Sequence, residues 1–390
     1  MKKILIKKLK ICVVVANRAN YGRVKHLMLE IENHPKLELM LIVGASAILE
    51  RFGNAVNVIE KDGFKPNKSI HYIVEGENLI TQAKSTGLGI IELASAFDEL
   101  KPDMVVTVAD RFETISTAIA ATYLNIPLIH LQGGEVSGNI DDRVRHSITK
   151  LADFHFVSTQ QSYERVIKMG ERKHTVFNYG CPSIDILKNS DLTISNAIMN
   201  IYSGVGQKID WTKPYLLMVQ HPVTTSYGDG FEEISQTLNA LENIPNIQKI
   251  VLWPNPDAGS DDVAKGMRQF REKNTKNIGF HFFKNFSPVD YARVLSNAKC
   301  LVGNSSSFIR EASYLGIPAV IIGNRQQNRE HGKNIIFANY DSSDIYEKIC
   351  TQINNGLFDS DLIFGNGESG KLIASELVKL NLQELKRNSY

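Results

Sequence analysis

Short apolar runs alternate with stretches of helical spacing through almost the whole chain. Residues 11–16, Ile-Cys-Val-Val-Val-Ala, are apolar without a break, as a strand buried on both faces requires, and residues 21–33 carry the spacing of an amphipathic helix. Further strands are predicted at 37–43, 104–108, 127–131, 154–158 and 175–178, with helices over 80–100 and 114–124 and another beginning near Asp142. The pattern then starts again. Strands at 215–220, 249–253, 281–283, 300–303 and 319–322 alternate with helices at 231–243, 263–273, 288–297 and 308–315. Such alternation predicts an α/β protein with parallel sheets covered by helices on both faces. The polar stretch between the halves, 181–213 with Gly204, Gly206 and helix-like spacing, reads as the crossing between domains. The predicted organisation is therefore a Rossmann-like domain over 1–185, a second over 186–370, and a terminal segment, helical over 371–386, that packs back on the first. Two doubly wound domains in succession leave a deep cleft between them.

Composition narrows the class. At 390 residues the chain exceeds the usual size of one domain, and 43% hydrophobic with 22% charged residues is ordinary for a globular protein. A formal charge of +2 gives no argument for nucleic acid, and no apolar run is long enough to span a membrane. The N-terminal Met-Lys-Lys-Ile-Leu-Ile-Lys-Lys-Leu-Lys has its apolar run broken by lysines and no small-residue cleavage site after it, so it does not read as a signal peptide. Cys12, Cys181, Cys300 and Cys350 lie far apart and read as reduced, mostly buried residues of a cytoplasmic protein. No His or Cys cluster has metal-ligand spacing, so no catalytic metal is expected.

The chemistry gathers at strand ends. The stretch 130–152 packs Glu135, Asp141, Asp142, two arginines and two histidines between a strand and a helix, and the Gly133-Gly134 turn is expected to let Glu135 face a ligand beyond the strand's carboxyl end. Asp110 and Arg111 follow the 104–108 strand, where Asp110 serves equally well as a helix N-cap. His221 follows the 215–220 strand, as a structural residue or a phosphate donor. After 300–303 comes Asn304-Ser305-Ser306-Ser307, a small-residue turn entering a helix that also holds Glu311. Such a turn offers backbone N–H groups and hydroxyls to a diphosphate, whereas ordinary capping needs one serine. The first turn lacks G-x-G-x-x-G and carries Arg18 instead, which argues against a dinucleotide and for a basic residue reaching a phosphate. The four clusters suggest a nucleotide held by the second half while its appended group is worked on by the first.

Asn17-Arg18-Ala19, Asp110-Arg111-Phe112, Gly133-Gly134-Glu135, Ile140-Asp141-Asp142, the run from Arg145 to Lys150, Gln220-His221-Pro222, the run from Asn255 to Ser260, Gly303-Asn304-Ser305-Ser306 and Arg325-Gln326 occur in one order along the chain. This combination resembles the hydrolysing UDP-N-acetylglucosamine 2-epimerases, over roughly residues 10–380. The resemblance implies two Rossmann-like domains in the glycosyltransferase-B arrangement, a UDP-sugar substrate, UDP as product, and release of N-acetylmannosamine as the first step of sialic acid synthesis. It also implies a homo-oligomer, dimer or tetramer. Asp110 and Asp141 match acidic residues proposed for proton transfer at sugar carbon 2 and the leaving oxygen, with Glu135 close by. Arg111, His221, Ser305 and Ser306 match diphosphate contacts, and Glu311 matches the acceptor from the ribose hydroxyls. Arg18, Asn255 and Arg325 match further pocket positions, and Phe286 lies in the segment lining the uracil. One departure stands out at Gln132, where some members carry a catalytic-type glutamate, because an amide cannot abstract a proton.

The implied chemistry needs no cofactor. Donors that stabilise a departing diphosphate leave an oxocarbenium-like sugar with a removable carbon 2 proton, giving 2-acetamidoglucal. Water then adds at carbon 1 while a second carboxyl protonates carbon 2 from the opposite face. Three alternatives remain open on sequence: the same reaction on the 2,4-diacetamido-2,4,6-trideoxy donor of legionaminic-type pathways, a glycosyltransferase of the same architecture, and a sensor that binds without turnover. The paired carboxylates speak against the sensor, since binding an anion gains nothing from them.

Overall fold

Apolar runs too short to be helices become the strands of two sheets wound by the same rule. The computed structural model describes residues 7–76, 78–137, 140–255, 257–273, 279–383 and 386. The first six residues of the lysine-rich N-terminus, Pro256 of the 255–260 motif and residues 384–385 of the terminal segment lie outside these. Among the described residues the first sheet holds β1 (Leu9–Val15), β2 (Leu37–Gly44), β3 (Lys68–Ile70), β4 (Met104–Val108), β5 (Leu128–Leu131), β6 (Phe154–Val157) and β7 (Val176–Asn178), in the order β3-β2-β1-β4-β5-β6-β7 and parallel throughout. The second holds β8 (Gly204–Gly206), β9 (Tyr215–Val219), β10 (Gln248–Leu252), β11 (Phe280–Phe283), β12 (Cys300–Gly303), β13 (Ala319–Ile322) and β14 (Ile335–Ala338), in the order β14-β13-β12-β9-β10-β11-β8. All its pairs are parallel except β8 with β11.

In each sheet the chain winds outward one way, returns to the middle and winds outward the other way. The reversal falls between β1 and β4 in the first sheet and between β9 and β12 in the second. Helices packed on either side hold the carboxyl ends of neighbouring strands apart there, which opens a crevice. These four strands are nearly all buried, and their apolar side chains divide between the two faces of each sheet.

The helix-like spacing of the crossing is a helix, Pro182–Asn189, that buries Ile184, Ile186 and Leu187 in the second core, and Trp211 joins the same cluster. Two details depart from the sequence reading. The terminal helix is shorter than expected, Ser369–Leu377, because Val378 closes it and the segment beyond is irregular among the described residues. Its Ile373, Ala374 and Leu377 lie in the first-domain core with Tyr21, Val24 and Leu27, and Asp185 accepts its first N–H groups, from Ser369 at 3.0 Å and Gly370 at 2.6 Å. Beyond 322 the pattern continues with β14 and a helix over Ser342–Asn355, which complete the sheet's far edge. Cys12, Cys181 and Cys300 are buried, Cys350 is half-buried, and all four are free.

Candidate active site

The four central strands deliver the site. Arg18 follows β1, Asp110 and Arg111 follow β4, His221 follows β9, and Ser305 and Ser306 follow β12; all six line one cavity of about 160 Å³ between the domains. Asn255, Phe286, Glu311 and Arg325 line it too. The walls are crossed by interdomain contacts: Arg18 Nη1 donates to Asn285 Oδ1 at 2.6 Å, and Arg111 Nη1 lies 3.0 Å from Asp257 Oδ1. Phe286 is fixed by aromatic packing, edge-on to Tyr202 at 4.7 Å and tilted against Phe283 at 4.9 Å. A rigid apolar wall of this kind suits a flat ring.

One side of the cavity is built from donors of different charge. Arg111 donates through Nε to Glu113 at 3.0 Å, and its Nη2 is buried with no protein partner. Burial alone would lower its pKa, but Asp257 and Glu113 raise it, so it stays cationic. His221 adds no charge to that of Arg111. Burial, reinforced by Arg325, Arg18 and Arg111, drives its pKa well below the usual histidine range. The Asn255 N–H donates to its Nδ1 at 3.1 Å, so the neutral ring carries its proton on Nε2. His221 therefore brings a hydrogen-bond donor and no charge. The serine hydroxyls form a chain, with Ser307 Oγ 2.9 Å from Ser305 Oγ and 2.5 Å from Tyr291 Oη, while Ser306 Oγ accepts from Arg23 Nη2 at 3.0 Å. In the short helix that follows the serine turn, Glu311 keeps one buried carboxylate oxygen without a protein partner.

Carboxylates occupy the first-domain side. Asp110 does not cap the following helix, whose N-cap is Arg111; its carboxylate pairs with Arg145. Burial would raise the Asp110 pKa, but Arg145, Arg23 and Arg329 together hold it below the usual carboxylate range. Asp141 lies in the first turn of the Ile140–Leu151 helix with Arg325 Nη2 3.9 Å away. Burial and the negative charge of Asp110 push its pKa up to about 6 against the pull of Arg325. The two residue types are the same and their environments are opposite.

Glu135 and Gln132 sit otherwise than the sequence suggested. The Gly133-Gly134 turn does not aim Glu135 at a ligand: its carboxylate meets Arg310 at 2.6 Å and Arg329 at 2.8 Å, both from the second domain. Burial would raise its pKa, but these arginines and Arg145 bring it down to about 2. The glycines are needed for packing, since a Cβ at Gly134, φ +77°, would meet the Ser162 carbonyl at 2.5 Å. Gln132 is buried and donates to Cys181 Sγ at 2.9 Å; of the four expected catalytic residues Asp110 lines the cavity, and Gln132, Glu135 and Asp141 are not among the described residues that do.

Sequence reasoning missed Arg23, Arg145, Arg310 and Arg329. All four sit on helices or loops where an arginine reads as a solvated face, yet Arg145, Arg310 and Arg329 are buried. Arg145 is the hub: it also donates to Asp142 Oδ1 and to the Glu135 carbonyl, each at 2.6 Å. Its one sequence signal is spacing, three residues after Asp142 and four after Asp141.

Two doubly wound domains sharing a cleft lined by arginines, serines and Asp110 define a fold of the glycosyltransferase-B kind. The family model for UDP-N-acetylglucosamine 2-epimerase matches residues 29–378, and the chain belongs to that family. It is 33% identical over 344 residues to the GDP/UDP-N,N'-diacetylbacillosamine 2-epimerase (hydrolyzing) of Campylobacter jejuni, covering 88% of each chain. It is 30% identical over 360 residues to the UDP-N-acetylglucosamine 2-epimerase of Neisseria meningitidis, covering 92% of each. The crystal structure of UDP-GlcNAc 2-epimerase from Neisseria meningitidis bound to UDP-GlcNAc shares the fold, with a TM-score of 0.78 over 95% of this chain and 100% of that one, at 16% identity in the structural superposition.

Proposed function

We propose that this enzyme is a hydrolysing 2-epimerase that converts UDP-N-acetylglucosamine and water to N-acetylmannosamine and UDP. The observation that carries the reading is that Asp110 lines the cavity paired with Arg145, while Asp141 stands behind that lining, 3.9 Å from the lining residue Arg325, so that Asp110 is held ionised and Asp141 is pushed up to about 6. Separated carboxyl pKa values assign an acceptor and a donor of protons. UDP lies with its phosphates toward Arg111, the His221 Nε2–H and the Ser305-Ser306 turn, its ribose toward Glu311 and its uracil against Phe286. Arg18, Asn255 and Arg325 complete the pocket.

The bond from carbon 1 to the diphosphate breaks and its electron pair leaves with UDP. Asp110 takes the carbon 2 proton; a weak base suffices because the departing diphosphate leaves a cation-like sugar. The product of this step is 2-acetamidoglucal. Asp141 then gives its proton to carbon 2 from the opposite face as water closes its bond to carbon 1, the water's proton passing to the released diphosphate. Glu135, whose Oε2 is shared by Arg310 and Arg329, braces the two domains and carries no proton.

The second reading is the same reaction on the 2,4-diacetamido-2,4,6-trideoxy donor, favoured by the likeness to the diacetylbacillosamine enzyme. A site that hydrogen-bonds a sugar hydroxyl rejects the analogue lacking it far more strongly than an apolar pocket rejects an extra methyl. Incubation of each donor in deuterated water, with products identified by NMR, is the test. Free N-acetylmannosamine with deuterium at carbon 2 and stoichiometric UDP is expected. A product still attached to UDP would make the enzyme non-hydrolysing, and product without the label would sink the elimination route. A hundredfold preference in kcat/KM for the diacetamido donor would move the substrate to the second reading.

A further inference from the structure

Asn304 is fully buried and stands behind the cavity wall, yet it touches three parts of the donor side. Its Oδ1 accepts from the His221 N–H at 2.7 Å and its Nδ2 donates to the His221 carbonyl at 2.8 Å. Its own carbonyl accepts from Arg325 Nη1 at 3.3 Å and from Gln326 Nε2 at 3.0 Å, and its N–H donates to the Val219 carbonyl at 3.0 Å. Ser305 follows it directly in the chain.

We infer that Asn304 is the positioning residue of the diphosphate site: its amide adds a rung between the ends of β9 and β12 and so fixes where His221, the Ser305-Ser306 turn and Arg325 meet the phosphates. The inference rests on reading the cleft as a UDP site. The β9–β12 ladder ends with Gly303 opposite Val219, and past that point parallel strands diverge toward the crevice. A side chain that donates and accepts in one plane can imitate a backbone peptide there, and asparagine is the shortest residue that does both. The preceding Gly303 makes the approach close enough, since at φ +137° a Cβ there would fall 2.1 Å from the Val219 carbonyl. Aspartate keeps the acceptor but loses the donor, and sets a negative charge against the His221 carbonyl and behind the phosphates. With His221 anchored at both backbone groups by Asn304 and at Nδ1 by the Asn255 N–H, its Nε2–H has one direction left, into the cavity.

The test compares UDP with uridine, which lacks the phosphates, by NMR titration of the full chain and its Asn304→Ala, His221→Ala and doubly substituted variants. Asn304→Ala is expected to weaken UDP on the order of tenfold to a hundredfold, the scale of two buried hydrogen bonds, and to leave uridine unchanged. The double variant should lose less UDP affinity than the two single losses combined, because the share of Asn304 that acts through the His221 ring is already gone in His221→Ala. If Asn304→Ala does not fold, Asn304→Asp, which keeps shape and one bond, carries the same comparison and the same expected loss for UDP alone. Unchanged UDP affinity, an equal loss for uridine, or additive effects would each overturn the inference. A wild-type protein that does not bind UDP would instead remove the reading of the cleft, so the two failures are distinct.

Discussion

Asp110 and Asp141 begin with the same chemistry and end with different roles, because one is surrounded by Arg145, Arg23 and Arg329 while the other faces Asp110 itself. A group held near pH 6 that must carry its proton into the reaction gives a kcat/KM that falls as pH rises through about 6. No matching loss is expected on the acid side until well below the ordinary carboxylate range, where Asp110 protonates. Asp141→Asn should abolish the alkaline limb and lower kcat on the order of a hundredfold. An unchanged limb in that variant would assign it to another group. The stability effect has the same direction: a folded-state pKa above the unfolded one makes the contribution of Asp141 complete below about pH 4 and lost as pH rises through about 6. Gln132 yields a second prediction. Facing Cys181 in a buried site, Gln132→Glu should accelerate neither donor and should lower the melting temperature, since an unpaired carboxyl is buried in place of an amide. Faster turnover of either donor would place residue 132 in the proton chemistry. At this scale Asp110, Arg111 and Arg18 were legible because they sit just past apolar runs, whereas the burial of Arg145 and Arg310 was not, because it depends on acidic partners from other elements, Asp110 for Arg145 and Glu135 of the first domain for Arg310.

Strand ends matter more than strand interiors in this molecule. Gly303 is the clearest case: its φ of +137° and its contact with Val219 leave no space for a methyl group. Gly303→Ala should push β12 away from β9, lower the melting temperature by several degrees and abolish measurable UDP binding. A calorimetric titration showing retained affinity would mean that the turn tolerates a shift of at least half an ångström. The strands at 104–108, 300–303 and 319–322 were readable to the residue, because continuous apolar runs flanked by turn residues have one reading. The short β3 and the helix Gln160–Lys168 were not read, since they bury little apolar surface of their own, Ile70 in one and Val166 in the other, and the helix Ser342–Asn355 was not read although Ile345, Ile349 and Ile353 recur at helical spacing. The serine turn was legible as a donor surface, but not the hydroxyl chain through Tyr291, which arrives from the helix Pro288–Ser296.

At the scale of the molecule, the cleft is closed by charge across domains, with Glu135 pinned between Arg310 and Arg329 and Arg18 reaching Asn285. The first core is also finished by a distant piece of chain, the Ser369–Leu377 helix. A chain ending at Glu368 should lose several kcal/mol from the first domain, the scale of exposing Ile373 and Leu377 and the surface they cover. Thermal unfolding of that variant is expected to show an early transition for the first domain; a single transition at the wild-type temperature would mean that the helix adds nothing. The same helix imposes an order on synthesis. With β7 made by residue 178 and the closing helix complete only at residue 377, a ribosome adding about 5–20 residues per second leaves the first domain unfinished for roughly 10–40 seconds. During that interval the face of the Arg18–Asn33 helix that meets Ile373 and Leu377 stands open to water or to a chaperone, and the two domains mature together instead of one after the other.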